Sequence, residues 1–147
     1  MRFAAESIIA ASPERVFAFH ELPDALVRLT PPWEKMRVIQ HAPSLRAGAR
    51  AILEVRIVPL LWMRTESVHT LYDPPFAFED EQVRGPFRRW HHRHAFTPVD
   101  GGTRLTDLID YALPLGFPLP LIAPRLRRVF AYRHEVTREW CERVTRA

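Results

Sequence analysis

Hydrophobic and polar positions along this chain first predict a short strand and then two short helices. Residues 2–10 have strand character. Ser12 is typical of a helix N-cap and Pro13 of the first helical position, so a short helix is predicted from Pro13. Apolar residues spaced for one face predict a second short helix over 22–29, which Pro31–Pro32 ends.

From residue 36 to residue 113 the pattern repeats every two residues, which is the period of a strand. Turn signals at Gly85–Pro86 and at Asp100–Gly101–Gly102 predict tight connections between the last three strands. We expect six or seven strands in antiparallel succession. After the two helices, the segments assigned to strands are 36–40, 52–58, 61–71, 76–83, 90–96 and 104–113.

The last part of the chain has apolar residues every three or four positions, which predicts a long amphipathic helix. Its apolar positions are Ile122, Leu126, Val129, Phe130, Val136, Trp140 and Val144. This order of elements predicts one α+β domain over residues 1–147, in which the helix covers one face of the sheet. The space between the sheet and the helix is a natural ligand site.

Composition and charge limit the partners and the cellular compartment that we expect for this domain. The formal net charge is +4, but the arginines are interspersed with acids, so we expect no nucleic-acid partner. We expect no signal peptide and no integral membrane segment, since no stretch approaches ~20 uninterrupted apolar residues. Cys141 is the single cysteine and is expected to be inert packing. We therefore expect a soluble, cytoplasmic protein, as a monomer or a homodimer.

The segment 90–96 carries the side chains that most suggest chemistry. Alternation along this strand places four of them on one face, and the aromatic residues among them favour the interior for that face. These four are Trp90, His92, His94 and Phe96. A tight turn near Asp100 predicts their antiparallel partners on the next strand. The predicted pairs are Phe96–Leu105, His94–Asp107, His92–Ile109 and Trp90–Tyr111.

The preceding strand has two alternative registers. In one, the even-numbered residues from Phe76 to Gln82 face the interior, and Asp80 lies across from His92. A shift of one residue would present the odd-numbered residues of 79–83 instead. The two phenylalanines of the even-numbered face favour the first register.

These registers bring a polar patch together on an apolar wall. Its members are Asp80, Gln82, His92, His94, Asp107 and Tyr111. Buried polar groups need hydrogen bonds from one another or from a ligand. Three interpretations stay open: a structural network, polar recognition at the base of a pocket, and acid–base or metal chemistry. In the metal version, His92 and His94 would bind together with Asp107 or Asp80.

A longer motif runs through the same strands: Phe78-x-Asp80-x-Gln82-x-x-Gly85–Pro86–Phe87-x-x-Trp90-x-His92-x-His94-x-Phe96. This motif resembles the START-like (SRPBCC) superfamily, and within it the polyketide cyclase/dehydrase-like ligand-binding proteins. The resemblance extends over nearly the whole chain. It implies a helix-grip fold, with a seven-stranded antiparallel sheet around a long C-terminal helix, two short helices after the first strand, and a hydrophobic cavity. The superfamily supports several chemistries, so function depends on the site.

We expect this cavity to bind a hydrophobic small molecule, such as a lipid, a polyketide or an isoprenoid-like compound, without catalysis, cofactor or metal. The expected ligand-binding residues are Phe78, Asp80, Gln82, Trp90, His92, His94, Phe96, Asp107, Tyr111 and Phe130. One alternative is a cyclase, dehydratase or isomerase whose candidate catalytic residues are His92, His94 and Asp107. Another is a protein-interaction module that exposes Leu60–Leu61–Trp62.

Overall fold

The structure is a computed structural model that describes residues 1–117 and 119–143. Within this part of the chain, seven strands form one antiparallel sheet in the order β1-β7-β6-β5-β4-β3-β2. The strands are β1 (Arg2–Ile9), β2 (Met36–Gln40), β3 (Arg50–Val58), β4 (Leu61–Asp73), β5 (Ala77–Arg84), β6 (Arg89–Val99) and β7 (Gly102–Ala112). The α-helices are α1 (Pro13–His20), α2 (Ala25–Arg28) and α3 (Ile122–Arg143). This is the predicted helix-grip arrangement.

Local sequence signals account for the first helix and for the turn at Gly85. Ser12 caps α1 by accepting a hydrogen bond from the backbone N–H of Arg15 at 3.3 Å, and Pro13 occupies the first helical position. At the turn between β5 and β6, a side chain on Gly85 would lie 2.3 Å from Oε1 of Gln82. A side chain at this position would therefore have to displace the amide of Gln82, which donates to the backbone carbonyl of Phe87 at 2.7 Å.

The predicted strand registers are confirmed on both sides of β6. The pairs with β7 are Phe96–Leu105, His94–Asp107, His92–Ile109 and Trp90–Tyr111, as predicted. Asp80 pairs with His92, which confirms the even-numbered register of β5. The short turn at Gly101 fixes the first set of pairs, because a two-residue connection leaves no freedom to slip.

Several predicted boundaries were wrong. The second helix covers only Ala25–Arg28, because the residues before it form the turn that follows α1 and include Pro23, which has no backbone N–H to donate. Phe76 precedes β5 and is 48% exposed, so it does not join the inner face. β6 extends to Val99, since its pairing with β7 continues up to the glycine turn. The predicted end of the long helix at Val144 lies outside the described residues.

The interior is divided into a packed cluster and a cavity. The packed cluster joins α1 and the C-terminal part of α3 to β1, β6 and β7, and its most buried members are Ile9, Phe17, Phe19, Phe96, Leu105 and Cys141. The other part of the sheet, over β3, β4 and β5, curves away from the first half of α3 and encloses the cavity. None of the helices in the described ranges is both long and apolar enough to cross a membrane.

Candidate functional site

The cavity between the sheet and α3 encloses about 950 Å³. This volume lies near the upper end of the range of small-molecule sites. Most of its wall is apolar, and two elements supply much of it. The inner face of β3 supplies Ala51, Leu53, Val55 and Ile57, and α3 supplies Ile122, Leu126 and Val129. Exposed residues of the α1–α2 and β2–β3 connections, including Pro23 and Pro43, also line it, which places its opening at that end.

Asp107 is the centre of a buried polar cluster at one side of this cavity. Its Oδ1 accepts a hydrogen bond from Nε2 of His92 at 2.7 Å, and its Oδ2 accepts one from Nε2 of His134 at 2.7 Å. Oγ of Ser7 lies 2.7 Å from the other ring nitrogen of His134. Because an ionised carboxylate can only accept, both Nε2 atoms carry protons. Asp107 therefore fixes the orientation of imidazoles from both the sheet and α3.

His94 lies between two carboxylates. Its Nδ1 is 2.9 Å from Oδ1 of Asp107, although at an angle unsuited to a hydrogen bond, and its Nε2 is 3.4 Å from Oδ2 of Asp80. The ring also stacks on Phe78, with 4.0 Å between ring centroids. Burial acts to lower the pKa of His94, but Asp107 and Asp80 outweigh it and raise this pKa to about 9. His94 is consequently a cation at neutral pH.

His92 has the opposite protonation behaviour. Burial and the neighbouring charge of His94, whose ring centroid is 3.7 Å away, lower the pKa of His92 despite its bond to Asp107. At neutral pH the ring is therefore neutral. Its Nε2 proton is held by Asp107, so Nδ1 carries the lone pair, and that atom lies 3.8 Å from Oδ2 of Asp80. His92 thus offers a basic nitrogen on the cavity wall.

The carboxylates complete this charge pattern. Burial alone would raise the pKa of Asp107, but the charge of His94 and the hydrogen bonds from His134 and His92 hold it well below its usual range. The pKa of Asp80 is lowered as well, because the hydrogen bond from His94 and the nearby histidines outweigh burial. Two carboxylates, one charged imidazole and one neutral imidazole therefore lie side by side.

Three of these residues could also hold a divalent metal ion. Asp80, His92 and His94 each present one ligand atom, and these atoms lie within 4.8 Å of one another. The bond from His92 to Asp107 is the kind of support that metal-binding histidines have. A metal would, however, have to displace the proton that the two carboxylates keep on His94.

Six of the ten predicted ligand-binding residues line the cavity: Phe78, Asp80, Gln82, Trp90, His92 and His94. The other four, Phe96, Asp107, Tyr111 and Phe130, are buried beside it, each with at most 5% of its surface exposed. Asp107 does not line the cavity itself, but it orients His92, which does. Phe96 belongs to the packed cluster, and Tyr111 and Phe130 fill the space between β7 and α3.

Sequence reasoning missed several polar residues at or beside this wall, among them His20, His69, Arg133 and His134. His20 on α1 donates through Nδ1 to the carbonyl of Val16 at 2.8 Å, and burial and the charge of His94 lower its pKa to about 4. Nδ1 of His69 is buried without a partner in the described part of the chain, and burial lowers the pKa of this histidine. For Arg133 and His134, the helical spacing of α3 did contain a signal. These two residues lie on the same face of the helix as positions 130, 137 and 141.

Solved structures support the fold. A protein from Chromobacterium violaceum aligns with a TM-score of 0.74 at 16% identity, covering 97% of this chain and 98% of that one. A START superfamily protein from Mycobacterium smegmatis aligns with a TM-score of 0.70 at 13% identity, again covering 97% and 98%. At these identities the likeness shows the fold alone.

A third solved structure is a nucleoside-diphosphate sugar epimerase from Corynebacterium glutamicum, with a TM-score of 0.75 and 28% identity. The alignment covers 93% of this chain but 28% of the epimerase, so the epimerase is a much longer protein. No curated protein matches this sequence significantly. Residues 9–133 match the family described as "Polyketide cyclase / dehydrase and lipid transport". This match spans most of the chain, and the chain belongs to that family.

Proposed function

We propose that this protein binds a hydrophobic small molecule, such as a lipid, a polyketide or an isoprenoid-like compound, inside the cavity between the sheet and α3. The observation that carries this proposal is the cavity itself, with about 950 Å³ behind an apolar wall. Burying an apolar ligand there would be favourable by roughly 25 cal/mol per Å² of apolar surface removed from water. The polar residues of β5 and β6 at one end of the cavity would orient the ligand.

Native mass spectrometry of protein purified under gentle conditions tests this proposal directly. We expect a bound small molecule that organic solvent extracts. The variant Ala51→Phe places a large side chain into the cavity and should abolish the bound mass. Ile52→Phe makes a comparable change on the opposite face of β3 and should retain it. Protein that is always empty, and that also fails to bind added neutral hydrophobic probes, would contradict the proposal.

A second candidate function is acid–base catalysis, and the geometry of His92 favours it. A neutral imidazole with its second nitrogen held by a buried carboxylate is suited to remove a proton from a bound substrate near pH 7. The reaction would be proton abstraction next to a carbonyl, followed by cyclisation, dehydration or isomerisation. In this role His92 Nδ1 takes the proton, Asp107 orients the ring and stabilises the imidazolium, and the apolar wall excludes water.

The neighbouring histidine of the opposite face provides a matched control for this candidate. His92→Gln should change the products that accumulate in the cells that make the protein. His91→Gln should leave them unchanged, because His91 faces outward and pairs with Glu79 at 3.0 Å. Product profiles by mass spectrometry that are identical for wild type and both variants would remove the support for catalysis and leave binding as the function.

A third possibility, a protein-interaction module, depends on the tip of the β3–β4 hairpin. Leu60 and Leu61 are exposed there, but Trp62 is covered by the guanidinium of Arg37 at 3.8 Å from the ring centroid. The open cavity favours small-molecule binding over this alternative. Trp62→Glu should therefore leave the elution volume in gel filtration unchanged.

A further inference from the structure

The guanidinium of Arg133 on α3 lies on the cavity wall, and none of the residues that the structure describes forms a hydrogen bond or ion pair with it. Its Nε is shielded from bulk solvent and makes no hydrogen bond to any residue in 1–117 or 119–143. Burial lowers the pKa of Arg133, while Asp107, Asp80 and Glu34 attract it through space. The residue as a whole is half-buried, and a shielded guanidinium nitrogen without a hydrogen bond is costly for a folded protein.

The acidic residues around Arg133 are already engaged elsewhere. Both oxygens of Asp107 accept hydrogen bonds from histidines, and Asp80 bonds to His94. Glu34 forms a two-pronged pair with another arginine of the cavity wall, Arg125, at 3.1 Å and 2.5 Å. Arg125 therefore shows how this chain pairs a structural arginine. Arg133 lacks any such pairing in the described residues.

The local geometry leaves the guanidinium of Arg133 available to a ligand. Its Cζ lies 5.0 Å from the ring centroid of Phe130, a cation–π contact that helps to hold the group in place. A planar guanidinium supported in this way can still bind a carboxylate through two parallel N–H bonds. The apolar side chains Val129 and Leu126, about one and two turns earlier on α3, line the same cavity.

We propose that the ligand of this cavity is an amphipathic anion, with a carboxylate on Arg133 and an apolar body along β3 and the first half of α3. This inference rests on the proposed binding function and specifies the chemical class of the ligand. The carboxylate would supply the contacting counter-charge that residues 1–117 and 119–143 do not provide. The hydrocarbon would fill the apolar part of the wall.

A pair of probes that differ only in charge tests the inference. Dansyl-undecanoic acid and its methyl ester are titrated into the protein, and binding is followed by dansyl fluorescence. We expect the acid to bind about tenfold or more tightly than the ester. Arg133→Met should remove this preference by weakening the acid alone, and Arg133→Lys should retain part of it. Arg127→Met, an exposed position on the same helix, should change neither affinity.

Urea unfolding without ligand separates anchoring from a structural role. If Arg133 serves the ligand, Arg133→Met should be as stable as the wild type or more stable, because it removes an unpaired buried charge. A large loss of stability in this variant would overturn the inference, as would equal affinity of wild type for acid and ester. Ester binding without discrimination would leave the proposed function standing, whereas failure of both probes to bind would overturn both.

Discussion

Two strands of the same sheet, β7 and β3, differ in how they bury their side chains. Along β7, every second residue from Thr103 to Tyr111 is buried against the core. Along β3, the interior residues are all half-buried, on both faces. The inner side of β7 packs against α1, β1 and α3, whereas the inner side of β3 faces the cavity.

Together with the proposed function, this difference explains how one sheet would combine stability with binding. Dense packing over β7 and α1 gains dispersion and burial energy, and so stabilises the fold. The inner side chains of β3 and β4 lack such close packing. They would gain the corresponding burial and dispersion energy only with a ligand in the cavity. Asp107 lies at the boundary, on β7 but bonded to histidines from β6 and α3. The four predictions that follow test this division, from the largest expected effect to the smallest.

The largest effect is expected from removing Asp107. Asp107→Ala would remove the main counter-charge of His94 and leave His92 and His134 without their acceptor, inside the fold. Breaking a buried ionic cluster in this way costs about 3–5 kcal/mol of unfolding free energy. Chemical denaturation in urea measures it. The matched control is Asp110→Ala on the outward face of β7, which should have a far smaller effect since its ion pair with Arg2 is exposed. Equal losses for the two variants would contradict the boundary role of Asp107.

A pair of leucine truncations tests the packed cluster against the cavity wall. Leu105→Ala removes a side chain that is 1% exposed, in the packed cluster, and should cost about 2–5 kcal/mol. Leu53→Ala on β3 only enlarges an existing cavity, so it should cost about 1 kcal/mol or less when no ligand is bound. The free energies of unfolding in urea compare them directly. A Leu53→Ala loss as large as that of Leu105→Ala would mean that the wall is packed in solution.

The charge on His94 predicts how stability depends on pH. Its pKa is about 9 in the folded protein, above the ordinary value of 6.5, because of Asp107 and Asp80. The stabilisation is therefore complete below pH 6.5 and is lost as the pH rises through 9, by up to about 3 kcal/mol. The depressed pKa of His20, about 4, acts in the other direction and reduces stability as the pH falls from 6.5 to 4.

Urea midpoints measured between pH 4 and pH 10 check this expectation, with a maximum near pH 6.5. His94→Gln should flatten the alkaline limb and reduce the acidic limb only in part, because burial still lowers the pKa of His20 when the charge of His94 is gone. An unchanged alkaline limb in that variant would show that another group causes the loss.

The smallest perturbation compares two thiols. Burial raises the pKa of Cys141 to about 12, and this residue is fully buried in the packed cluster. It should react with a small disulfide reagent about 10³-fold more slowly than an ordinary thiol, since only the thiolate reacts. Ser67→Cys introduces a thiol on the cavity wall, which should react rapidly and be protected by a bound ligand. Absorbance of the released reagent follows both rates. Similar rates for the two thiols would contradict the division.

The strand registers were predictable because they depend on local features. Alternation fixes which residues of β6 share a face, and the turn at Gly101 fixes their partners on β7, so the pairing of His94 with Asp107 followed from the sequence. Helix limits were less predictable. Pro23 shortened the second helix, and pairing in the hairpins extended strands beyond their alternating segments.

The candidate site was only partly predictable, because two of its groups come from a helix. A search for apolar positions on α3 passed over Arg133 and His134, which interrupt the apolar stripe and yet lie on its inward side. The sequence pattern also could not predict the depth of the cavity. Phe96 and Phe78 share a face in the sequence pattern, but only Phe78 lines the space, since the packing of α1 covers Phe96.

Because β1 pairs with β7, the sheet cannot be completed until the ribosome has made β7. β1 pairs with β7, and 108 positions separate Arg2 from its partner Asp110. The strands from β2 to β7, in contrast, join in a series of consecutive hairpins. At about 5–20 residues per second, a ribosome would need on the order of 5–20 s to supply the partner of β1. The cavity-forming strands can therefore pair early, while the apolar face of β1 waits for β7 and is the segment most in need of protection on a nascent chain.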